Sequence, residues 1–375
     1  MEQKSFADIF EDVTKRAVKI QKKDYLPTGR YPIIDQGQEW CAGYTDREDG
    51  LFQDVPAYIF GDHTRIIKYT DEPFYLGADG VKLLKLREGI QANPRFFYYA
   101  LKSQRIPDTG YNRHFKWLKE SLYHVPTLNE QTHIVDTLDT LSTLITLCKT
   151  KIFLFDELVK SRFVEMFGDP VTNPMGWETV KIADALIVEP QNGLYKPQSD
   201  YVHDKSGIPI LRIDGFYEGK VSNWLVLKRL KCTKEEIQKY LLHEGDIVIN
   251  RVNSIEHLGK CAHISNLHEP TVYESNMMRM HFDPTRFNPV YITRLLCTQY
   301  IYNQIINHSK KAVNQASINQ KDVMDFNIYH PPLDLQNEFA AFVEQADKSK
   351  LVLRQLLEKQ QTLKAALMQE YFAVH

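Results

Sequence analysis

The chain has 375 residues, of which 43% are hydrophobic, enough to build two domains with cores of their own. Its formal net charge of −2 carries no bulk signal for a nucleic-acid partner, although a basic face can hide inside a neutral average. The scattered cysteines Cys41, Cys148, Cys232, Cys261 and Cys297 form no C-x-x-C pair, the start MEQKSFADIFEDVTKR has no apolar signal core, and no run approaches the ~20 apolar residues of a membrane span, so a soluble cytoplasmic protein without a disulfide framework is expected.

Residues 1–125 read as a first globular segment. Its short apolar runs YPIID, AYIFGD, TRIIKYT, PFYLG and VKLLKL are broken by Gly37, Gly43, Gly50, Gly61, Gly77 and Gly80, the punctuation of strands and turns. One helix is expected in NPRFFYYALKSQ, where Asn93 caps and Pro94 opens the first turn. Residues 126–167 are a different material. Ile134, Leu138, Leu141, Ile145, Cys148, Ile152, Phe155 and Val159 recur at alternating spacings of four and three, the seam of a coiled coil. At 1.5 Å per residue, about 40 residues give a rod of roughly 60 Å.

Residues 168–330 repeat the plan of the first segment. GIPILRIDGF echoes RYPIIDQGQ, EGDIVIN and KCAHIS read as strands, and NPVYITRLLCTQYI answers NPRFFYYALKSQRI, with Asn288-Pro289 in the place of Asn93-Pro94. Residues 331–375 bring a second long helix. Under a constant shift Pro126 falls on Pro331, Leu128 on Leu333, Gln131 on Gln336, Leu158 on Leu363, Glu165 on Glu370 and Phe167 on Phe372. The same phase places Phe339, Val343, Ala346, Lys350, Leu353, Leu357, Gln360 and Lys364 on its seam, which is more polar than the first. The chain therefore reads as an α+β tandem duplication, domain–helix–domain–helix. Helix one leaves the first domain and reaches the second, so the returning helix has to pair with it antiparallel.

A search for catalytic constellations finds no P-loop, G-x-G-x-x-G, H-E-x-x-H or G-x-S-x-G. The run Asp156 to Lys160 is similar to a nuclease carboxylate–lysine cluster but falls on the coil, where charged flanks are ordinary. Tyr329-His330-Pro331-Pro332 lacks the acidic or Asn residue of a methyltransferase loop and reads as a helix entry. His257, Cys261, His263 and His268 lack paired metal-ligand spacing. No catalytic residue and no metal site are expected.

Donor-rich loops recur instead at matching places in the two segments. The first has His63 and Arg65 after a strand, and Tyr111, Asn112, Arg113, His114, Lys116 and Lys119 before the rod. The second has Asn250, Arg251, Asn253 and Ser254 after a strand, and Lys310, Lys311, Asn314 and Gln315 before the rod. Arg can grip guanine, Asn and Gln can grip adenine, and Lys or Ser can hold phosphate. Phe163, Met166, Phe167, Tyr371 and Phe372 crowd the ends of the rods. They exceed what a two-helix seam needs and are expected to be exposed for a partner.

This arrangement resembles the specificity subunit of bacterial type I restriction–modification systems, over essentially the whole chain. The stretches that carry the likeness are FDELVKSRFVEMFGDPVTNPMGW, YPIIDQGQ, FGDHTRIIKY and LGADGVKLL in the first half, and GIPILRIDGFYEGKV, LHEGDIVINRVNS and YHPPLDLQNEF in the second. The first domain begins almost at Met1, so its first strand is expected to be incomplete. The resemblance implies two target recognition domains separated by two long antiparallel coiled-coil helices with pseudo-twofold symmetry. It implies a non-catalytic chain that reads a bipartite double-stranded DNA sequence, with the gap set by the rod. Its partners would be two methyltransferase subunits and, in many such complexes, a restriction and translocation subunit. S-adenosylmethionine, ATP and Mg would belong to those partners, with no cofactor on this chain. A plain coiled-coil scaffold for protein partners is the competing reading, and it predicts no DNA binding at any salt concentration.

Overall fold

The computed structural model describes residues 2–77, 80–311 and 315–372, apart from the side chains of Glu2 and Lys311. Its helices in chain order are α1 (Phe6–Ile9), α2 (Pro94–Lys102), α3 (Phe115–Lys119), α4 (Leu128–Phe167), α5 (Lys234–Tyr240), α6 (Pro289–Leu296), α7 (Gln299–His308), α8 (Gln320–Asp325) and α9 (Leu333–Phe372). The two expected rods are α4 and α9, of 40 residues each. Pro126 and the pair Pro331-Pro332 stop any earlier helix from running into them. At the start of α4 the Thr127 backbone N–H and hydroxyl both donate to Glu130 Oε2, at 2.9 and 2.8 Å, and the Glu130 N–H turns back to Thr127 Oγ1. That is a capping box, which satisfies amides the first turn would leave bare. Among the described residues no helix is long and apolar enough to cross a membrane.

The chain forms two compact units, residues 1–150 with 353–375, and residues 151–352. Both long helices contribute to both units, and within each unit their segments run antiparallel. In the first unit Ser142 meets Lys364, which donates to its hydroxyl at 2.6 Å, and Cys148 lies 3.5 Å from the Gln360 amide oxygen. In the second, Lys350 donates to Asp156 at 2.6 Å and Arg162 to Glu338 at 2.9 Å. The polar residues that weaken the α9 heptad on paper thus occupy the seam itself. Lys350 is buried between Asp156 and Asp347, the latter at 3.2 Å. Desolvation offsets most of the attraction in such a pair, so its main effect is to fix register.

The first unit holds a sheet in the order Phe10–Asp12, Val81–Leu86, Ala57–Gly61, Ile67–Thr70, and a smaller one in the order Gly43–Thr45, Tyr31–Ile34, Tyr75–Leu76. In the latter, Tyr31–Ile34 and Tyr75–Leu76 run parallel. Strand Glu2–Ser5 pairs with Leu122–Val125 at all four positions. The second unit repeats this plan. Leu186–Asn192, Met277–Phe282, Ile247–Asn250 and Cys261–His263 follow one another in that order, and Gly219–Val221 with Phe216–Tyr217 extend the sheet. Ile208–Leu211 runs parallel to Val272–Tyr273, and Thr179–Lys181 pairs with Asn327–Tyr329. The duplication read from the sequence is therefore a duplication of topology.

One joint is built on the same plan in both units. Buried Gln131 donates to Pro126 O at 2.9 Å, and its Oε1 accepts the Asn93 backbone N–H at 2.9 Å. Buried Gln336 donates to Pro331 O at 2.8 Å and to Arg286 O at 3.0 Å, and accepts the Asn288 N–H at 2.8 Å. Each Asn in turn caps its helix, Asn93 taking the Arg95 N–H and Asn288 the Val290 N–H. A side-chain amide therefore ties the entry of each long helix to the cap of the domain helix beside it. In the first unit Arg95 adds a bidentate pair to Asp139 of α4, at 2.6 and 2.7 Å, joined by the Tyr99 hydroxyl.

The aromatic residues at the helix ends are not exposed as expected. Phe163, Met166, Phe167 and Phe372 are buried, and Tyr371 is partly buried. Phe167 packs on Tyr291 and Phe339, with ring centroids 4.6 and 5.6 Å apart, and Phe372 packs on Phe96 at 5.2 Å. These side chains are surplus to a two-helix seam because each unit's own core takes them. Apolar exposure on the helices falls elsewhere: Leu144, Leu147, Leu356 and Leu363 in the first unit, and Phe153, Leu154, Leu158, Leu351 and Val352 in the second.

Candidate nucleic-acid interface

In the first unit the chain leaves strand Ala57–Gly61 through a tight loop. The Gly61 N–H donates to Ile66 O at 2.8 Å and the Arg65 N–H returns to Gly61 O at 2.8 Å, with Arg65 in the left-handed region at φ 62°. A Cβ at Gly61 would stand 2.2 Å from Thr64 Oγ1 and 2.8 Å from Gln36 Cβ, so only glycine fits. This loop meets the second predicted loop. Arg65 donates to Asp108 at 2.7 Å, His63 Nδ1 lies 3.1 Å from Asn112 O, and the His63 ring stacks on Tyr111 at 4.5 Å. Tyr111 is 87% exposed. Arg113, Lys116 and Lys119 are exposed, Lys116 lying over the Trp117 ring and Lys119 over Phe115.

His114 differs from these neighbours, because it is fully buried. Its backbone N–H and ring Nδ1 both reach Asp62 O, at 2.8 and 3.0 Å, while Asp62 Oδ1 accepts the Phe115 N–H at 2.8 Å. His114 and Asp62 hold the two loops together rather than face outward. Beside the loops lies a cleft of about 780 Å³ whose lining includes Trp40, Arg65, Tyr69, Arg95, Tyr98 and Lys102. Planar rings and cations together suit a polyanion that carries bases.

The second unit brings its own pair of predicted loops together by another route. Val252–Asn253 pairs with Ala316–Ser317, which pairs in turn with Lys310–Lys311, a three-stranded sheet. Lys310 and Gln315 are exposed, Asn253 and Ser254 are partly exposed, and Asn314 lies outside the described residues. Asn250 is fully buried, its amide donating to Asn276 O at 3.2 Å and Val252 O at 3.3 Å. Arg251 is partly exposed and donates to Ser275 O at 3.2 Å. Next to it Arg212 reaches the Tyr201 hydroxyl at 3.1 Å and lies 3.7 Å from Glu274. Burial raises the Glu274 carboxyl above its ordinary value despite the neighbouring Arg212. Arg212 Nε, Arg251 Nε, Asn250 Oδ1 and Glu274 Oε2 are buried polar atoms without a hydrogen-bond partner among the described residues.

The pairing registers make the two edges equivalent. Gly61 faces Val81 as Asn250 faces Met277. The Asp62 N–H donates to Gly80 O as the Arg251 N–H donates to Asn276 O. The parallel pairs Ile34 with Leu76 and Leu211 with Tyr273 then put Asp35 opposite Arg212, and Gly77 opposite Glu274, in the comparison of the halves. One topology thus places Asp35, the buried Asp62 and Gly77 in the first unit where the second has Arg212, Arg251 and Glu274. Sequence reasoning named Arg251 as a candidate but not its neighbours at this strand end, Arg212 and Glu274, nor the 78% exposed Tyr195. The signal available was the match of GIPILRIDGF to RYPIIDQGQ, which sets Arg212 against Asp35 at a strand end. Among the described residues no group of three or more His, Cys, Asp or Glu is placed to hold a metal ion.

The family described as type I restriction modification DNA specificity domain matches residues 1–153 and 174–364. The chain is 30% identical over 200 residues to the specificity subunit of type I restriction enzyme MjaX from Methanocaldococcus jannaschii, covering 53% of this chain and 46% of that protein. It is 25% identical over 241 residues to the StySPI specificity subunit of Salmonella potsdam, covering 59% and 49%. The alignment thus spans about half the length of each relative. In structure, the S subunit of a type I restriction–modification system from M. genitalium superposes with a TM-score of 0.64 at 16% identity, covering 100% of this chain and 96% of that one. A chain from a study of complex assembly and conformational transition in the type I system gives 0.56 at 16% identity, covering 99% and 97%. These likenesses establish the shared fold.

Proposed function

The chain belongs to the type I restriction–modification DNA specificity family, and from that premise we propose that it reads a bipartite double-stranded DNA target, one half with each unit. The observation that carries this reading is the pair of equivalent edges. Both units bring their two donor-rich loops together at the same place in the fold, yet fill equivalent positions with different chemistry. Arg251 and Arg212 can present forked donors to guanine, and Glu274 an acceptor to cytosine, while the first unit offers His63, Asn112, Arg113 and Tyr111. Lys116, Lys119 and Lys310 suit phosphate contacts, which position the protein without reading sequence. No residue is assigned to catalysis, and methyl transfer from S-adenosylmethionine would fall to two methyltransferase subunits. The outward leucines of α4 and α9, rather than the buried Phe163, Met166, Phe167 and Phe372, would carry their docking. The long helices would set the gap between half-sites.

The test is exchange of residues 1–125 for the corresponding domain of a relative, in cells that also make the cognate methyltransferase. Genome-wide sequencing of the methylated motif should show one half-site changed and the other retained. A motif changed in both halves, or in neither, would sink independent reading. Binding of the purified complex to target DNA should also weaken with salt in proportion to the phosphates neutralised.

A further inference from the structure

The second unit contains two thiols that no recognition loop uses. Cys261 is buried in strand Cys261–His263, and Cys297 ends α6, its N–H returning to Thr293 O at 3.1 Å. Although 36 positions apart in sequence, their sulfurs are 3.5 Å apart, and Cys261 Sγ also lies 3.8 Å from Thr293 O. The two face a cleft of about 210 Å³ whose lining includes Gly219, His257, Lys260 and Tyr302, and Cys297 is exposed as a residue. Gly219 keeps that side open: a Cβ there would lie 3.8 Å from Cys297 Sγ and only 2.9 Å from the Thr293 methyl. The cleft leads to two sulfurs that already touch each other.

The pair is chemically uneven. The two sulfurs share a hydrogen bond in which either can donate; this contact draws the Cys297 thiol below its ordinary value, with nearby Arg294 acting in the same sense against burial. The same contact, together with burial, pushes the Cys261 thiol up. Cys297, the exposed residue of the two, is the one placed to attack, and the buried Cys261 the one placed to resolve. No third ligand accompanies them among the described residues, which favours sulfur–sulfur chemistry over a metal site.

We propose that Cys261 and Cys297 are an oxidisable pair that a hydroperoxide converts to a reversible disulfide, fastening strand Cys261–His263 to α6. The Cys297 thiolate attacks the peroxide, forming an S–O bond as the O–O bond breaks, and the departing oxygen takes a proton to leave as alcohol or water. The Cys261 sulfur then attacks the sulfenic sulfur. The S–S bond forms, the S–O bond breaks, and the hydroxyl leaves with the Cys261 proton as water. Two thiols and one hydroperoxide give one disulfide, one alcohol (or water) and one water. Closure from 3.5 Å to the ~2.0 Å of a disulfide needs about 1.5 Å of approach. The clamp adjoins the recognition edge, since Lys260 O accepts the Asn250 N–H at 2.7 Å.

The reduced full-length chain is exposed to a small molar excess of hydrogen peroxide, then denatured and alkylated with iodoacetamide without reductant. Three of its five cysteines should label, the protein before alkylation should be about 2 Da lighter, and a peptide should join Cys261 to Cys297. Dithiothreitol should restore labelling of all five. Cys297→Ser, checked for native circular dichroism, should show no mass loss and full labelling of its four remaining thiols. Full labelling of both residues in the treated parent overturns the proposal. So does oxygen addition at Cys297 without a cross-link, or a cross-link confined to another pair.

Discussion

Replacing Gln131 or Gln336 by alanine tests the joint on which each unit's attachment to its long helix rests. Gln131 satisfies two backbone groups, Pro126 O and the Asn93 N–H. Gln336 satisfies three, Pro331 O, Arg286 O and the Asn288 N–H. Both side chains are buried, so truncation strands these groups out of reach of most solvent, at roughly 1–3 kcal/mol for each that stays unpaired. Water entering the space left by the amide would satisfy part of the set. The expectation is therefore about 2–4 kcal/mol for Gln131→Ala and a larger loss for Gln336→Ala, against a typical domain stability of ~5–15 kcal/mol. Hydrogen exchange read by peptide mass spectrometry separates the units. Gln131→Ala should lower protection around Asn93 and the start of α4, and Gln336→Ala around Asn288 and the start of α9. The reasoning fails if either variant keeps the parent's protection within about 0.5 kcal/mol, or if the losses appear in the opposite units.

The remaining predictions concern charge, reading and length. Asp139 is held below its ordinary value of 3.8, burial working against the shift while Arg95 and Tyr99 produce it, so its contribution is complete above that value and lost as pH falls through the lower folded value. The stability gap between parent and Asp139→Asn, about 1 kcal/mol near neutrality for so exposed a pair, should narrow on acidification below pH ~4, and a constant gap in urea titrations would refute the assignment. Arg251→Ala should cost about 1–3 kcal/mol in DNA binding and relax one position of the methylated motif, so an unchanged motif with equal affinity would return Arg251 to a structural role. Leu154→Ser with Leu158→Ser should leave circular dichroism unchanged yet weaken recovery of a co-expressed methyltransferase subunit, and full recovery would exclude that face. Inserting four residues after Leu144 adds roughly 6 Å to one helix. The methylated motif should keep its half-sites and gain a longer gap, whereas altered halves with an unchanged gap would defeat the helices as a ruler.

Much of this fold is written in periods. The phase that placed Lys350, Gln360 and Lys364 on the α9 seam held because a heptad position is geometric, indifferent to whether its side chain is apolar. What the sequence could not supply was the partner of each, since Asp156, Cys148 and Ser142 come opposite only in one register of the antiparallel pairing. The aromatic ends of the helices misled for the reverse reason. Spacing shows that Phe163 and Phe167 exceed a two-helix seam, but not that Tyr291 and Phe339 close over them. His114 and Asn250 read as outward donors, yet each turns inward and adds a side-chain hydrogen bond to a strand-end carbonyl, Asp62 O or Asn276 O, that already accepts a backbone N–H. Strand Leu186–Asn192 was invisible to alternation because Glu189 and Pro190 interrupt it. Register shifts in its pairing with Met277–Phe282 absorb the irregularity.

The two halves differ where the proposed function needs difference. At the joints the partners are backbone N–H and C=O groups, the same in every protein, so one side-chain solution serves both and Gln131 matches Gln336 as Asn93 matches Asn288. At the strand ends the backbone pairing is also the same, down to the amide after the strand bonding one turn carbonyl, Gly80 O or Asn276 O. Only the side chains diverge: Asp35 against Arg212, Gly77 against Glu274, and Asp62, which turns inward to the Phe115 N–H, against the partly exposed Arg251. A duplicated scaffold that bound one ligand twice would gain nothing from reversing charge at equivalent positions. A scaffold that reads two unlike half-sites requires it, because donors suit guanine and an acceptor suits cytosine. The divergence sits at the edges and spares the joints, so substitution at the edge can alter what is read while the attachment to the helices stays intact.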